Sequence, residues 1–145
     1  MITAWRIAKR RYADLSGSGA KLVGGRWNRP GAAIVYTADH PALAALEVRV
    51  HLDLPPDLLP DDFVLMKIAL PDEPPETLTE FPSNPQAYGD QWCAQGRTAI
   101  LRVPSLLVPD AFNYLLNPAH PNAAKAKLIA LKPFAFDTRL WRGTR

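Results

Sequence analysis

Apolar residues occur in short runs that are separated by segments rich in proline and glycine. Runs with β-branched residues predict β-strands, at residues 4–8, 32–37, 63–70 and 97–103. Further extended segments are expected at residues 106–108, and one or two final strands at 127–131 and 134–140. The run at 63–70 is the most apolar, so we expect it to be a buried central strand.

Two stretches have helical signals. Leu43, Leu46 and Val50 recur at spacings of three and four, which predicts one apolar stripe on a helix. Pro41 suits the first helical position, and Asp39 is a better N-cap by residue type than His40. Residues 86–95 predict a second short helix.

These elements predict a single compact α+β domain over residues 1–145, with few short helices and many Pro-rich loops. The length of 145 residues suits one hydrophobic core. Fifteen prolines point to ordered loops around a small sheet. No internal repeat or domain boundary is evident in the sequence.

Three polar residues lie on consecutive predicted elements. Arg26 follows the glycines at 24 and 25, Tyr36 lies near a strand end, and Glu47 lies on the first predicted helix beside its apolar stripe. We expect the three to converge on one cleft, where the glycines let the backbone approach a ligand. A carboxylate next to the core must be paired or face a polar cavity. An ion pair with Arg26 or another arginine and a functional role therefore both stay open.

Composition and charge narrow the function classes. The chain is 48% apolar and 21% charged, with a net charge of +3. No apolar run is long enough to cross a bilayer, and the N-terminus lacks the core of a signal peptide. The lone Cys93 agrees with a reducing compartment, so we expect a cytoplasmic protein. The basic cluster at 9–11 is short, and we expect no direct nucleic-acid binding and no membrane.

Several reaction types lack their usual residue patterns. The histidines at 40, 51 and 120 have no metal-ligand spacing, so no metal is expected. Cys93 has no evident His partner, and no Gly-x-Ser-x-Gly motif occurs. Glu47 remains the main candidate for chemistry.

The chain resembles the RES domain, a family of bacterial toxins, along its whole length. The motifs that carry the resemblance are Gly-Gly-Arg-Trp-Asn (24–28), Val-Tyr-Thr (35–37), Ala-Leu-Glu-Val (45–48), Gly-Asp-Gln-Trp (89–92), Arg-Val-Pro-Ser (102–105), Asn-Tyr-Leu-Leu-Asn-Pro-Ala-His-Pro (113–121) and Pro-Phe-Ala-Phe-Asp-Thr-Arg-Leu (133–140). The resemblance implies a fold similar to ADP-ribosyltransferases with small split β-sheets. It also implies NAD as a substrate, no bound cofactor, and an Xre-type helix-turn-helix antitoxin that occludes the pocket.

The resemblance also implies roles for individual residues. Glu47 would stabilise positive charge on the ribose, as in glycoside cleavage. Arg6 and Arg26 would bind the pyrophosphate. Tyr36 would stack on or hydrogen-bond the nicotinamide ribose, and Ser105 would bond a ribose or amide group. The alternative for Ser105 is a turn hydroxyl that bonds nearby backbone.

We therefore predict the toxin of a type II toxin–antitoxin pair. It would cleave the nicotinamide–ribose bond and deplete cellular NAD by hydrolysis or phosphorolysis. Two alternatives remain: a mono-ADP-ribosyltransferase that modifies a protein target, and an inactive module that only pairs with a DNA-binding antitoxin.

Overall fold

A computed structural model describes residues 1–142, and their strands form one mixed seven-stranded sheet. The strands are β1 (Thr3–Lys9), β2 (Val35–Ala38), β3 (Phe63–Ala69), β4 (Glu76–Thr77), β5 (Ile100–Pro104), β6 (Phe112–Leu116) and β7 (Lys127–Pro133). Their order is β4-β5-β6-β2-β1-β3-β7. Neighbours pair antiparallel except β4 and β5. The predicted α+β class is confirmed.

The helices are short, and each lies between two strands along the chain. They are α1 (Ser18–Val23), α2 (Pro41–His51) and α3 (Pro85–Gln95), with 3-10 turns at Arg10–Tyr12, Pro56–Leu58, Pro121–Lys125 and Thr138–Trp141. Residues 106–108 turn instead of extending, so that prediction was wrong. Of the one or two final strands predicted, residues 127–131 lie in β7, and residues 134–140 end in a 3-10 turn. The buried strand predicted at 63–70 is confirmed as β3.

A weak seam runs through the middle of the sheet, between β1 and β2. β1 pairs with β3 along its whole length, from Thr3 to Lys9. Its pairing with β2 is limited to Trp5 opposite Ala38. Next to this single pair, the Arg6 side chain donates from Nη1 to the Tyr36 carbonyl at 3.2 Å. The structure has one continuous sheet in place of the split sheets that were expected. The sheet is only weakly paired at the seam between β1 and β2, and this leaves room for the Arg6 side chain.

Helix α2 differs from its prediction in both cap and buried face. The cap is His40, whose Nδ1 accepts from the Ala42 N–H at 3.0 Å. Asp39 was the wrong choice, because its carboxylate instead accepts from the Phe112 N–H at 3.0 Å. The stripe was also wrong: Leu43 is 4% exposed, but Leu46 and Val50 are 40% and 54% exposed.

The buried face of α2 is formed by Leu43 and Ala44. Glu47 is four residues after the first and three after the second, so it lies on the same face one turn further along. The corrected helix orientation therefore turns Glu47 towards the sheet more strongly than the predicted stripe did.

Helix α3 packs against the turn that carries Arg26, and Gly89 permits the close approach. A Cβ at Gly89 would lie 1.8 Å from the Trp27 carbonyl oxygen. We expect Gly89→Ala to lower the free energy of unfolding by about 3 kcal/mol, although Ala is the better helix former. Thermal denaturation should show a Tm lower by roughly 10 °C.

Gly19→Ala is the matched control, because a Cβ there meets only the Tyr12 ring at 3.7 Å. Its Tm should be unchanged or slightly higher. Equal Tm values for the two variants would contradict the packing explanation.

Candidate active site

A cleft of about 790 Å³ opens beside the seam of the sheet. Its walls include β1, β2, α2, β6, the turn at 24–27 and the loop after β5. Four of the five predicted site residues line it: Arg6, Arg26, Tyr36 and Glu47. The expected convergence of three consecutive elements on one cleft is therefore what the structure shows.

Arg26 and Trp27 form the tip of a tight turn that Tyr36 holds from below. Gly25 and Asn28 close the turn through a backbone bond of 2.9 Å. The Tyr36 hydroxyl accepts from the Trp27 N–H at 2.9 Å and donates to Asn28 Oδ1 at 2.6 Å. Burial raises the pKa of Tyr36 above its usual value, so the phenol is protonated at neutral pH.

The glycines of this turn serve a different purpose from the one expected. A Cβ at Gly25 would lie 2.7 Å from the Tyr36 hydroxyl. Gly24 has φ +78, and a Cβ there would lie 3.0 Å from the Pro30 ring. The space left by their missing side chains is filled by the protein's own residues, not kept free for a ligand.

We expect Tyr36→Phe to loosen the Arg26 turn. The substitution leaves the Trp27 N–H and Asn28 Oδ1 without their shared partner, which should cost about 1–3 kcal/mol in denaturant unfolding. Tyr114→Phe is the control, because the Tyr114 hydroxyl makes no hydrogen bond within residues 1–142. A Tyr36→Phe variant as stable as that control would show that the hydroxyl contributes nothing to the turn.

Arg6 is a cation in the cleft with no neutralising carboxylate among residues 1–142. Within the described part of the chain, its buried Nε has no hydrogen-bond partner, and Nη1 bonds only the Tyr36 carbonyl. None of the ion pairs found among residues 1–142 includes Arg6. Burial lowers the pKa of Arg6, and the charge of Asp14 opposes this only in part. An unpaired, desolvated guanidinium is suited to bind an anionic ligand.

Glu47 is half-buried, and its carboxylate faces the cleft. Burial raises its pKa, and the negative charge of Asp39 adds to this. A hydrogen bond from Asn113 and the positive charge of Arg26 lower it. Within the described part of the chain Glu47 forms no ion pair with Arg26, so the ion-pair interpretation is not supported.

Two predicted residues differ in how they meet the cleft. Arg26 is exposed at its rim, where its charge influences both Glu47 and Tyr36. Ser105 does not line the cleft, although its neighbours Pro104, Leu106 and Leu107 do. The Ser105 hydroxyl accepts from the N–H groups of Leu107 and Val108 at 3.1 and 3.3 Å. These contacts match the alternative of a turn hydroxyl.

Asn113 is a site residue that the sequence reasoning missed. It lines the cleft from β6, and its Nδ2 lies 2.8 Å from both oxygens of Glu47. A signal was present, because asparagine is depleted in strands and this one interrupts the apolar run at 112–116. Its partner is 66 residues away in the chain and could not be identified from local pattern.

Residues 1–142 contain neither a metal-binding cluster nor a membrane-spanning helix. His, Cys, Asp and Glu form no group of three or more there that could bind a metal ion. None of the helices described has the length and apolarity needed to cross a bilayer.

The arrangement combines anion binding with stabilisation of positive charge. Guanidinium groups attract phosphate oxygens, and a half-buried carboxylate stabilises a cation that develops beside it more strongly than bulk water would. A substrate that is anionic in one part and becomes cationic in another fits both features.

Comparisons with known proteins identify the family of this chain. The sequence model of the RES domain matches residues 3–138. A protein of a Sphingobium species named Prs ADP-ribosylating toxin is 42% identical, covering 95% of this chain and 96% of its own length. Toxin Res of Pseudomonas putida is 39% identical, covering 94% and 98%.

The fold has a solved counterpart in the crystal structure of the M. tuberculosis MbcT–MbcA toxin–antitoxin complex. The TM-score is 0.76 at 20% identity, covering 92% of this chain and 84% of that one. The match of the domain model over most of the chain, together with two relatives near 40% identity, confirms the resemblance, and this chain belongs to the RES domain family.

Proposed function

We propose that this RES-family toxin cleaves the bond between nicotinamide and ribose in NAD and thereby depletes cellular NAD. One observation carries the proposal. The Glu47 carboxylate faces the same cleft as the guanidinium of Arg6, which forms no ion pair within residues 1–142. NAD has both features that such a cleft selects, an anionic pyrophosphate and a ribose carbon that becomes cationic when nicotinamide leaves.

The proposed reaction uses each group in a separate way. As the C–N bond breaks, its electron pair moves to the nicotinamide nitrogen, and positive charge spreads over the ribose carbon and ring oxygen. Glu47 stabilises that charge more in the transition state than in the ground state. Arg6 and Arg26 bind the pyrophosphate. Because the Tyr36 hydroxyl is already bonded within the turn, its contribution is the ring against the nicotinamide ribose.

The acceptor decides the product. Water captures the ribosyl carbon to give ADP-ribose and a proton, and phosphate gives a phosphorylated ADP-ribose. The second candidate is transfer to a protein side chain, and the name of the 42% identical Sphingobium relative, Prs ADP-ribosylating toxin, favours it.

The test uses purified protein and NAD labelled in the adenosine part, with and without phosphate. Depletion predicts stoichiometric release of nicotinamide and label only in small molecules. Label that remains on a protein after denaturation would overturn depletion in favour of transfer. Absence of nicotinamide release under all conditions would overturn both.

We also propose an antitoxin partner of the Xre helix-turn-helix type, acting with this chain in the cytoplasm, where NAD is abundant. The solved counterpart was crystallised as a toxin–antitoxin complex. Exposed apolar residues at the cleft mouth, Val50, Leu106 and Leu107, offer a surface that a partner could cover. The alternative of an inactive binding module predicts that Glu47→Gln leaves growth inhibition unchanged.

A further inference from the structure

The amide group of Asn113 lies directly against the Glu47 carboxylate. Its Nδ2 is 2.8 Å from Oε1, 2.8 Å from Oε2 and 3.2 Å from the Thr37 carbonyl oxygen. All three neighbours are acceptors, so only the nitrogen can face them and the orientation of the amide is determined. The two N–H groups of this nitrogen serve three acceptors, the Thr37 carbonyl and the two carboxylate oxygens.

The backbone that carries Asn113 is held on both sides. In β6, Asn113 lies opposite Ala38 of β2 and opposite Val103 of β5. The side-chain bond to Thr37 joins it to β2 a second time. A glutamate side chain has several rotatable bonds, and this anchored amide restricts where its carboxylate can lie.

We infer that Asn113 is a positioning residue for the reaction proposed above, holding both oxygens of Glu47 so that an ionised carboxylate faces the substrate ribose. The catalytic part of this inference rests on the proposed function. The pairing itself rests on the three distances alone.

The charged surroundings of Glu47 explain why such a donor is needed. Burial and Asp39, from the segment before α2, both favour the neutral carboxyl group. Arg26, from the turn, favours the ionised form. His51, four residues along α2, also lines the cleft. The Asn113 N–H adds a direct bond to the charged form, which is the form that stabilises a cationic ribose.

The test compares Asn113→Ala and Asn113→Asp with the wild-type chain in nicotinamide release from NAD. For Asn113→Ala we expect kcat to fall by roughly 100-fold with KM changed only a few-fold. The acid limb of its pH profile should move to higher pH, because the lost donor had favoured the ionised carboxylate.

Asn113→Asp keeps the shape of the side chain and reverses its hydrogen bonding. Two facing carboxylates repel, so this variant should be nearly inactive at neutral pH. As the pH falls, one proton shared by Asp and Glu restores a donor, and activity should partly recover. A purely structural role for Asn113 does not produce this inverted profile.

Asn122→Asp is the matched control, because Asn122 Nδ2 also bonds a carboxylate, that of Glu73 at 2.6 Å, and does not line the cleft. Its pH profile should equal the wild-type profile even if its Tm falls. Circular dichroism confirms that each variant is folded.

A carboxyl ¹³C NMR titration of Glu47, assigned with Glu47→Gln, gives a readout that needs no turnover. Asn113→Ala should raise the pKa of Glu47. An unchanged pKa together with wild-type kinetics would overturn the inference. If the wild-type chain releases no nicotinamide, the proposed function fails, and the titration alone then supports or overturns the pairing of Asn113 with Glu47.

Discussion

Replacing Glu47 by Gln is expected to reduce nicotinamide release by about 10³-fold and to abolish growth inhibition, with the fold intact. Gln has the same shape, and its single amide oxygen can still accept from the Asn113 amide, whose nitrogen lies 2.8 Å from both carboxylate oxygens. What is lost is the negative charge that stabilises the ribosyl cation. The measurements are kcat with NAD and growth on induction of each variant.

Stability should change in the opposite direction from activity. Because burial raises the pKa of Glu47 in the folded chain, ionisation of this group disfavours folding. The favourable contribution of the neutral carboxyl group is fully present below the unfolded pKa and is lost as pH rises through the folded pKa. Glu47→Gln should therefore match the wild-type Tm at low pH and exceed it at neutral pH.

Glu80→Gln is the matched control, since Glu80 is exposed and does not line the cleft. It removes the same charge and should retain wild-type kcat. Glu47→Gln activity within a few-fold of that control would remove the carboxylate from the mechanism and favour an inactive binding module.

Local sequence pattern was enough for most of the strands. The short apolar strands β1, β3 and β5 lie close to where they were predicted, because their residues suit a buried, pleated surface. The strand predictions that failed are those in which apolar residues lie in a turn outside the sheet. Residues 106–108 turn because the Ser105 hydroxyl accepts hydrogen bonds from the backbone N–H groups of Leu107 and Val108.

The apolar stripe of α2 was misread for a different reason. Alanine is too small to stand out in a periodicity, yet Ala44 is on the buried face and Val50 is at the open cleft mouth. Large apolar residues of a helix usually face the core. In a helix that also forms a cleft wall, some of them face the cleft instead.

Most residues of the candidate site could be identified from the sequence, but the contacts between their side chains could not. Arg26, Tyr36 and Glu47 are within one stretch of chain, so their convergence followed from the order of the elements. The contacts of Arg6 with Tyr36 and of Glu47 with Asn113 cross 30 and 66 residues. Such contacts depend on strand order and register, which local pattern does not determine.

Replacing Arg6 by Met is expected to raise KM for NAD by about 100-fold without loss of thermal stability. A guanidinium forms two charge-assisted bonds to a pyrophosphate, each of about 1.5–3 kcal/mol. Met retains most of the apolar stem but binds no anion. Because Arg6 Nε is buried without a partner and no carboxylate neutralises the side chain within residues 1–142, the folded chain keeps this cation at a cost.

Arg10→Met removes the same charge from an exposed position outside the cleft, and both its KM and its Tm should remain at wild-type values. A higher KM together with an unchanged or higher Tm for Arg6→Met would identify Arg6 as a residue kept for its ligand. A lower Tm with unchanged KM would instead mean that the bond to the Tyr36 carbonyl holds the seam of the sheet together. The phosphates of NAD would then have to be bound from the rim, where Arg26 is exposed at the cleft.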